Sequence, residues 1–440
     1  QRYFAVNDAG GGLMPLFLAV ANVDPALGRD DAAGARAAMT AGYERVLTAR
    51  LEDGRFFFAE DGKKSLEQRL DALQGMAFQK GAGDFFMKSG RLKNISEWIV
   101  DKIEASKDPN INYSFVAEAA RLSKADLASS MVFEFPELQG VIGGIYARGE
   151  KPGKEGADEV ADGIAQHYLP SSASDPLPSS ITGAVVSVAD KIDSLMAFLA
   201  LGYKPSATSD PLGMRRLCLG IIRIAVEGEF GGRKLTFNLR HLAEFALEQV
   251  ESEIEKTKKK KKIDDPVGFF MEFLEDRLKV YWKDRARADI LDAVIACGIE
   301  DLRKTRMRLE ALIEFQRSDE FEDLSVAFKR AYRISRELDD DGAAVDTGLF
   351  QQAEEKELHE AVQKVTFDID IAYRNDDFKK VYSAFRSLRK QIDGYFEKVF
   401  VNVEEEDIKV NRLRMMKMIA DLVVGSARLD LVQFERTKLE

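Results

Sequence analysis

Between Arg121 and Ile224 the chain gathers polar groups that packing alone does not require. Asp126, Glu134, Glu137 and Gln139 surround a break at Phe135-Pro136, and Asp190, Lys191 and Asp193 interrupt the apolar run from Gly183 to Leu201. Asp210, Arg215 and Arg216 follow in the segment DPLGMRR. Carboxylates in such settings either hold divalent cations that activate water or satisfy buried amides and cations. The first use calls for imidazole beside carboxylate, as an adjacent His-Asp pair joined by a further His and Asp. The histidines are His167, His241 and His359, and none precedes an Asp. Asp126 and Asp190 are therefore expected to bind backbone amides or to pair with Lys191, Arg215 or Arg216. A relic metal or nucleotide pocket is the alternative.

A second chemistry is phosphate binding. Lys329, Arg333 and Arg336 stand at i, i+4 and i+7 with Arg330 beside them, opposite the apolar Leu324, Ala327, Phe328 and Ala331. Lys379, Arg386, Arg389 and Lys390 repeat the arrangement, and Arg412 lies further on. Such stripes place several phosphate donors on one helix face, and Tyr332 and Tyr382 would be available to stack on unpaired bases. A solvated charged face is the competing reading. The net charge of −11 repels a phosphate backbone at long range, so any RNA contact must be a local patch.

Other chemistries find no support in the residues. There is no Walker loop, GxGxxG, CxxC pair or HExxH. Gly10-Gly11-Gly12 reads as a hairpin turn, because no helix follows it directly to cradle a phosphate. Hydrophobic residues at 45% and charged ones at 32% describe a globular chain rich in surface helix. No apolar run approaches the ~18 residues of a membrane span. Cys218 and Cys297 lie far apart in apolar contexts, which reads as buried thiols in a reducing, cytoplasmic compartment.

The elements that must position these groups are mostly helical. Tyr3 to Val6 and Leu13 to Val23 read as paired strands around DAGGG. Ala32 to Glu52 turns to helical period with Tyr43, Val46, Leu47 and Leu51 on one face. Ser65 and Gln68 form a capping box ahead of Leu66, Leu70 and Leu73. From about Gly75 to Gly231 the pattern stays helical. Glu251 to Pro266 contains six lysines between Lys256 and Lys262, a mobile linker on compositional grounds. Beyond it, Val381, Phe385, Leu388, Ile392, Tyr395 and Val399 predict one helix of five turns, and Leu413, Met416 and Leu422 mark another.

The string ADL-x3-MV-x-EFPELQG-x2-G-x2-YA, with HYLP, ADKxD and DPxxxRR after it, closely resembles the β subunit of bacterial tetrameric glycyl-tRNA synthetase. Tyr43 to Asp61 is similar to that family's NERVL-x-ARL-x-DA-x-FF segment, with Tyr43 for Asn and Gly54 for Ala. Ile392 to Met416 resembles the helical anticodon-binding domain shared with arginyl-tRNA synthetases. The resemblance implies a mainly α, multidomain fold. Residues 1–74 would end an N-terminal α+β body, and 75–250 would form a helical HD-like domain with its trailing helix. A lysine-rich linker would occupy 251–266 and a helical anticodon-binding-like domain 267–440. Ala125-Asp126 stands where the HD pair belongs, so the metal motif is degenerate and no catalytic residue or metal is expected. Asp126, Glu134, Glu137, Asp190, Lys191, Asp210, Arg215 and Arg216 would be structural residues of the family motifs.

Tetramer partners are also implied: an α subunit, two of each chain, that uses ATP and Mg for glycyl transfer, with tRNA(Gly) contacted here by Lys329, Arg330, Arg333, Arg386, Arg389, Lys390 and Arg412. No cofactor in this chain, no DNA and no membrane are expected. The lysine run would be a tether, or alternatively a basic segment closing on the acceptor arm. A segment like QRYF lies well inside the family's subunit, so a fragment lacking its N-terminal portion is expected. The rival is a metal-dependent HD-type phosphohydrolase with a helical accessory domain.

Overall fold

The computed structural model describes every residue except 1–2, 23, 25–26, 28–29, 104–110, 206–208, 231, 233, 254–262, 337, 339–341 and 435–440. The lysines from Lys256 to Lys262 lie outside the described residues. Two strands, β1 (Tyr3–Asn7) and β2 (Leu13–Ala19), form an antiparallel hairpin with Tyr3 opposite Ala19 and Asn7 opposite Leu13. The glycine run is its turn, as expected: the Asp8 carboxylate accepts the Gly10 and Gly12 amides at 2.9 and 2.8 Å, and Gly11 takes φ +85°. Helix α1 (Ala32–Asp61) meets the hairpin where the Tyr3 and Tyr43 rings stand 6.1 Å apart. Leu13, Leu16, Leu18, Leu51 and Phe56 remain exposed on this N-terminal piece.

A helical body follows, made of α2 (Leu66–Arg69), α3 (Phe85–Lys102), α4 (Tyr113–Leu122), α5 (Ser130–Glu134), α6 (Val141–Glu150), α7 (Ala157–Gln166), α8 (Ile181–Ala200), α9 (Met214–Glu227), α10 (Leu239–Glu251) and α11 (Pro266–Trp282). The capping box of Ser65 and Gln68 opens α2. Helix α8 is mostly apolar around its circumference apart from Asp190, Lys191 and Asp193, so it is stable only in the middle, and every residue from Thr182 to Ala200 is buried. Helices α3, α4, α7, α9, α10 and α11 pack around it. Helices α6 and α7 approach closely, where a Cβ on Gly144 would stand 2.7 Å from the Ala161 carbonyl oxygen.

The C-terminal helices are α12 (Ala288–Ile295), α13 (Leu302–Gln316), α14 (Phe321–Ser335), α15 (Ala353–Arg374), α16 (Phe378–Arg386), α17 (Arg389–Lys398) and α18 (Glu406–Val424). Helix α14 packs on α18, and α15 on α16 and α17, while α13 touches both α16 and α9.

Packing moves three of the expected boundaries. Leu66, Leu70 and Leu73 are buried in the helical body, so 62–74 belong there and not with the N-terminal piece. Helix α11 lies beyond the lysine run yet packs back on α8, α9 and α10, with Phe270, Leu274 and Leu278 fully buried. The run therefore interrupts the body and does not divide it from the C-terminal helices. The stripe from Val381 to Val399 is buried at each expected position, but the backbone turns at Ser387 and Leu388 and makes two helices of it. The apolar period survives such a turn, which is why the pattern alone reads as continuous. No helix among the described residues is long and apolar enough to cross a membrane.

Candidate functional site

Asp126, Asp190 and Asp193 of the body point inward. Asp126 lies in the short turn after α4, fully buried, and its Oδ2 accepts the backbone amides of Gly140 at 2.6 Å and Gly143 at 3.2 Å. It thus serves the unsatisfied donors at the start of α6. This explains the glycines of EFPELQG-x2-G: Gly140 takes φ +81°, and a Cβ on Gly143 would meet Asp126 Oδ2 at 3.0 Å. Burial raises the Asp126 carboxyl above its ordinary range against the opposing amides, and its Oδ1 has no hydrogen-bond partner among the described residues. Glu134 and Glu137 face solvent and take no part.

Asp190 and Asp193, one turn apart on α8, meet cations that the sequence reading passed over. Lys88 Nζ of α3 stands 3.0 Å from Asp190 Oδ1 and 2.7 Å from Asp193 Oδ2. Arg91, one turn further along α3, donates to Asp193 Oδ1 at 2.6 Å and also reaches Glu253. Lys124 Nζ donates to Asp190 Oδ2 at 3.0 Å and to His167 Nε2 at 2.8 Å, with the Tyr168 ring centroid 3.9 Å away. Nδ1 of His167 in turn donates to the Ile164 carbonyl at 2.6 Å, so the ring is the neutral Nδ1–H tautomer. Burial would raise Asp190, but the Lys124 and Lys88 ammonium groups outweigh it and hold the carboxylate far below the usual range.

The expected partners of Asp190 are therefore corrected. Lys191 points away, donating to the Leu169 carbonyl at 3.1 Å and Ser187 Oγ at 2.7 Å, and burial pulls its ammonium down to about 7. Asp210 caps α9 through the Met214 and Arg215 amides, each at 2.8 Å, while Arg216 is exposed. A signal for the missed cations was present. Lys88 and Arg91 share the i, i+3, i+4, i+7 face with Leu92, Ile95 and Ile99, and Lys124 directly precedes Ala125-Asp126. Asp61 was missed as well; it accepts the Ser130 and Met131 amides at 3.0 and 2.9 Å at the start of α5. Lysine ammonium groups thus stand among the very carboxylate and imidazole atoms that a divalent cation would need.

The candidate phosphate-binding residues of the C-terminal helices divide into four groups. Arg330 and Arg333 of α14 are exposed, as are Arg336 just past its end and Lys390 of α17, and no carboxylate among the described residues pairs with Arg333 or Lys390. Lys379, Arg386 and Arg389 instead tie α16 and α17 to their neighbours through Glu314, Glu320 and Asp323. Lys329 is half-buried with Nζ 3.4 Å from the Val432 carbonyl.

Arg412 must be withdrawn as an RNA contact. It is 3% exposed, its Nε lies 2.9 Å from Glu355 Oε1, and its Nη1 donates to the Phe400 carbonyl at 2.7 Å. Tyr382 is withdrawn as a stacking residue, because it is buried with its ring on Phe315 at 4.8 Å.

Two expectations follow. Burial, with the Lys124 ammonium beside it, holds His167 well below the ordinary histidine value of ~6.5. Its folded form stays neutral where the unfolded chain takes up a proton, so this contribution to stability is complete above pH ~6.5 and is lost as pH falls below it. Urea denaturation from pH 7.5 to 5 should show that decline, and His167→Gln should flatten it; an unchanged slope would refute the assignment. Arg412→Ala leaves Glu355 buried without its cation and should cost about 3–5 kcal/mol, measured by the same denaturation.

The chain is similar in sequence to known proteins. The family described as glycyl-tRNA synthetase beta subunit matches residues 1–296, and the DALR anticodon binding domain matches residues 324–431. The glycine–tRNA ligase beta subunit of Myxococcus xanthus is 35% identical over 438 residues, covering 99% of this chain and 59% of that protein. The corresponding subunit of Geobacter metallireducens is 37% identical over 427 residues, covering 96% of this chain and 57% of its own length. The chain thus spans a little under three fifths of these relatives. With a family match over most of its length, the chain belongs to the glycyl-tRNA synthetase beta subunit family and carries a DALR anticodon-binding domain in its C-terminal helices.

Proposed function

We propose that this chain binds tRNA(Gly) through its C-terminal helices and positions it for ATP-dependent glycylation by a separate α subunit. The assembly would hold two α and two β subunits in the cytoplasm, with ATP and Mg used by the α subunit. The observation that carries this reading is the exposed basic end of α14, where Arg330 and Arg333 face solvent inside the segment that matches the anticodon-binding family. Lys390 on the adjoining helix adds a further free cation. Exposed guanidinium groups at helical spacing that have no carboxylate partner among the described residues suit a phosphate backbone, whereas the paired Arg386 and Arg389 hold helices together.

The phosphohydrolase alternative has less to support it. Asp126 is committed to two amides, and Asp190 to two lysines, so the groups that would bind divalent cations already have partners.

The test is binding of a glycine tRNA transcript at several salt concentrations. Arg333→Glu should weaken binding and lower the slope of log affinity against log salt by about one unit for each phosphate no longer engaged. Stability should move by no more than about half a kcal/mol, since the residue is exposed. The chain alone should catalyse no glycine-dependent ATP–pyrophosphate exchange. Exchange by the chain alone, or unaltered affinity and slope in folded Arg333→Glu, would contradict the proposal.

A further inference from the structure

The segment after α17 alternates sharply in exposure: Val399 is 2% exposed, Phe400 79% and Val401 5%. The two valines anchor the backbone in the core, and the ring between them is turned outward. The anchoring continues from inside, because Arg412 Nη1 holds the Phe400 carbonyl at 2.7 Å while Glu355 fixes Arg412. A ring on so constrained a backbone gives up little conformational entropy when something covers it.

Its surroundings follow from the helix register. Arg389 of α17 pairs with Asp323 of α14, and seven residues further along each helix Arg330 lies over the Phe396 ring at 4.4 Å. The two helices therefore run side by side in the same direction at the same rise per residue. Continuing that register to the end of α17 at Lys398 brings exposed Arg333 of α14 level with the point where the chain leaves the helix and extends through Val399 to Phe400.

We propose that Phe400 is a stacking platform for one unpaired base of the RNA, with Arg330 and Arg333 holding the phosphates that flank it; this rests on the tRNA-positioning reading above. An apolar protein-docking patch requires contiguous apolar neighbours, and here the adjacent valines point inward. An exposed ring two residues beyond the end of α17, with the exposed guanidinium groups of Arg330 and Arg333 on the helix that runs alongside, matches what a single-stranded nucleic acid needs, a π-face and counter-charge. Exposed Glu404, Glu405 and Glu406 follow in the chain and repel phosphate, which leaves the α14 side for the backbone. Arg412, buried and away from RNA, acts on this site as a positioning residue through the Phe400 carbonyl.

The test uses the whole chain with a glycine tRNA transcript and its isolated anticodon stem-loop. Phe400→Ala should weaken binding to both about tenfold while leaving the salt slope unchanged, since no cation is removed. Phe400→Trp should bind as the parent does, and its fluorescence should be quenched when the stem-loop is added, a signature of ring-on-base stacking. Parent-level affinity in Phe400→Ala, or no quenching in Phe400→Trp while the parent binds tRNA, would overturn the assignment of Phe400 alone. Loss of α-subunit binding in Phe400→Ala with tRNA affinity intact would overturn it in favour of a protein partner. A parent chain that binds no tRNA would instead remove the reading on which the assignment rests.

Discussion

The ion cluster between α3 and α8 is the constraint to which the body of this protein is fitted. Two lysines, an arginine and two aspartates, all nearly inaccessible, alternate in sign across the helix contact. Lys88 and Arg91 are one turn apart on α3 and Asp190 and Asp193 one turn apart on α8, so the pairs match only in one register. Slippage by a turn would leave buried charges unpaired, which costs several kcal/mol, whereas apolar side chains at the same interface would tolerate it. One of these lysines, Lys124, comes from the chain before α5 and draws in His167 from after α7. Segments distant in sequence are thereby held to one central helix by charge and not by shape alone.

Much of the architecture was legible because it rests on periodicity. The hairpin turn at Asp8, the capping box at Ser65 and the buried stripe from Val381 to Val399 each depend on residues close in sequence, and local patterns report local structure. The unreadable parts depend on who meets whom. Asp190 was expected to pair within its own region, but its partners lie 102 positions upstream in Lys88 and 66 upstream in Lys124, and no spacing rule connects them. Arg412 and Arg333 look alike as basic residues on apolar helices. Only the placement of Glu355 shows that one is a buried strut and the other a free surface cation. The boundary at the lysine run failed for a similar reason, since composition marks where a chain resists packing but not what the next helix returns to.

The division of labour that emerges is between an interior that uses charge for register and a surface that leaves charge free. In the body, the buried carboxylates of Asp126 and Asp190 are taken up by amides and ammonium groups. In the C-terminal helices, exposed guanidinium groups of α14 stand beside a loop whose backbone is clamped from within by Arg412. Both regions use buried arginine or lysine pairs as fixings, so mutational effects on folding and on RNA binding should separate by burial and not by residue type.

Amide hydrogen exchange of the whole chain with and without a glycine tRNA transcript tests the central claim most directly. Slowed exchange is expected in the last turns of α14 and α17 and across 399–401, with the first half of α3 and the middle of α8 at the ion cluster unchanged. Protection confined to the helical body around Asp126 and Asp190, with α14 and α17 unaffected, would contradict it.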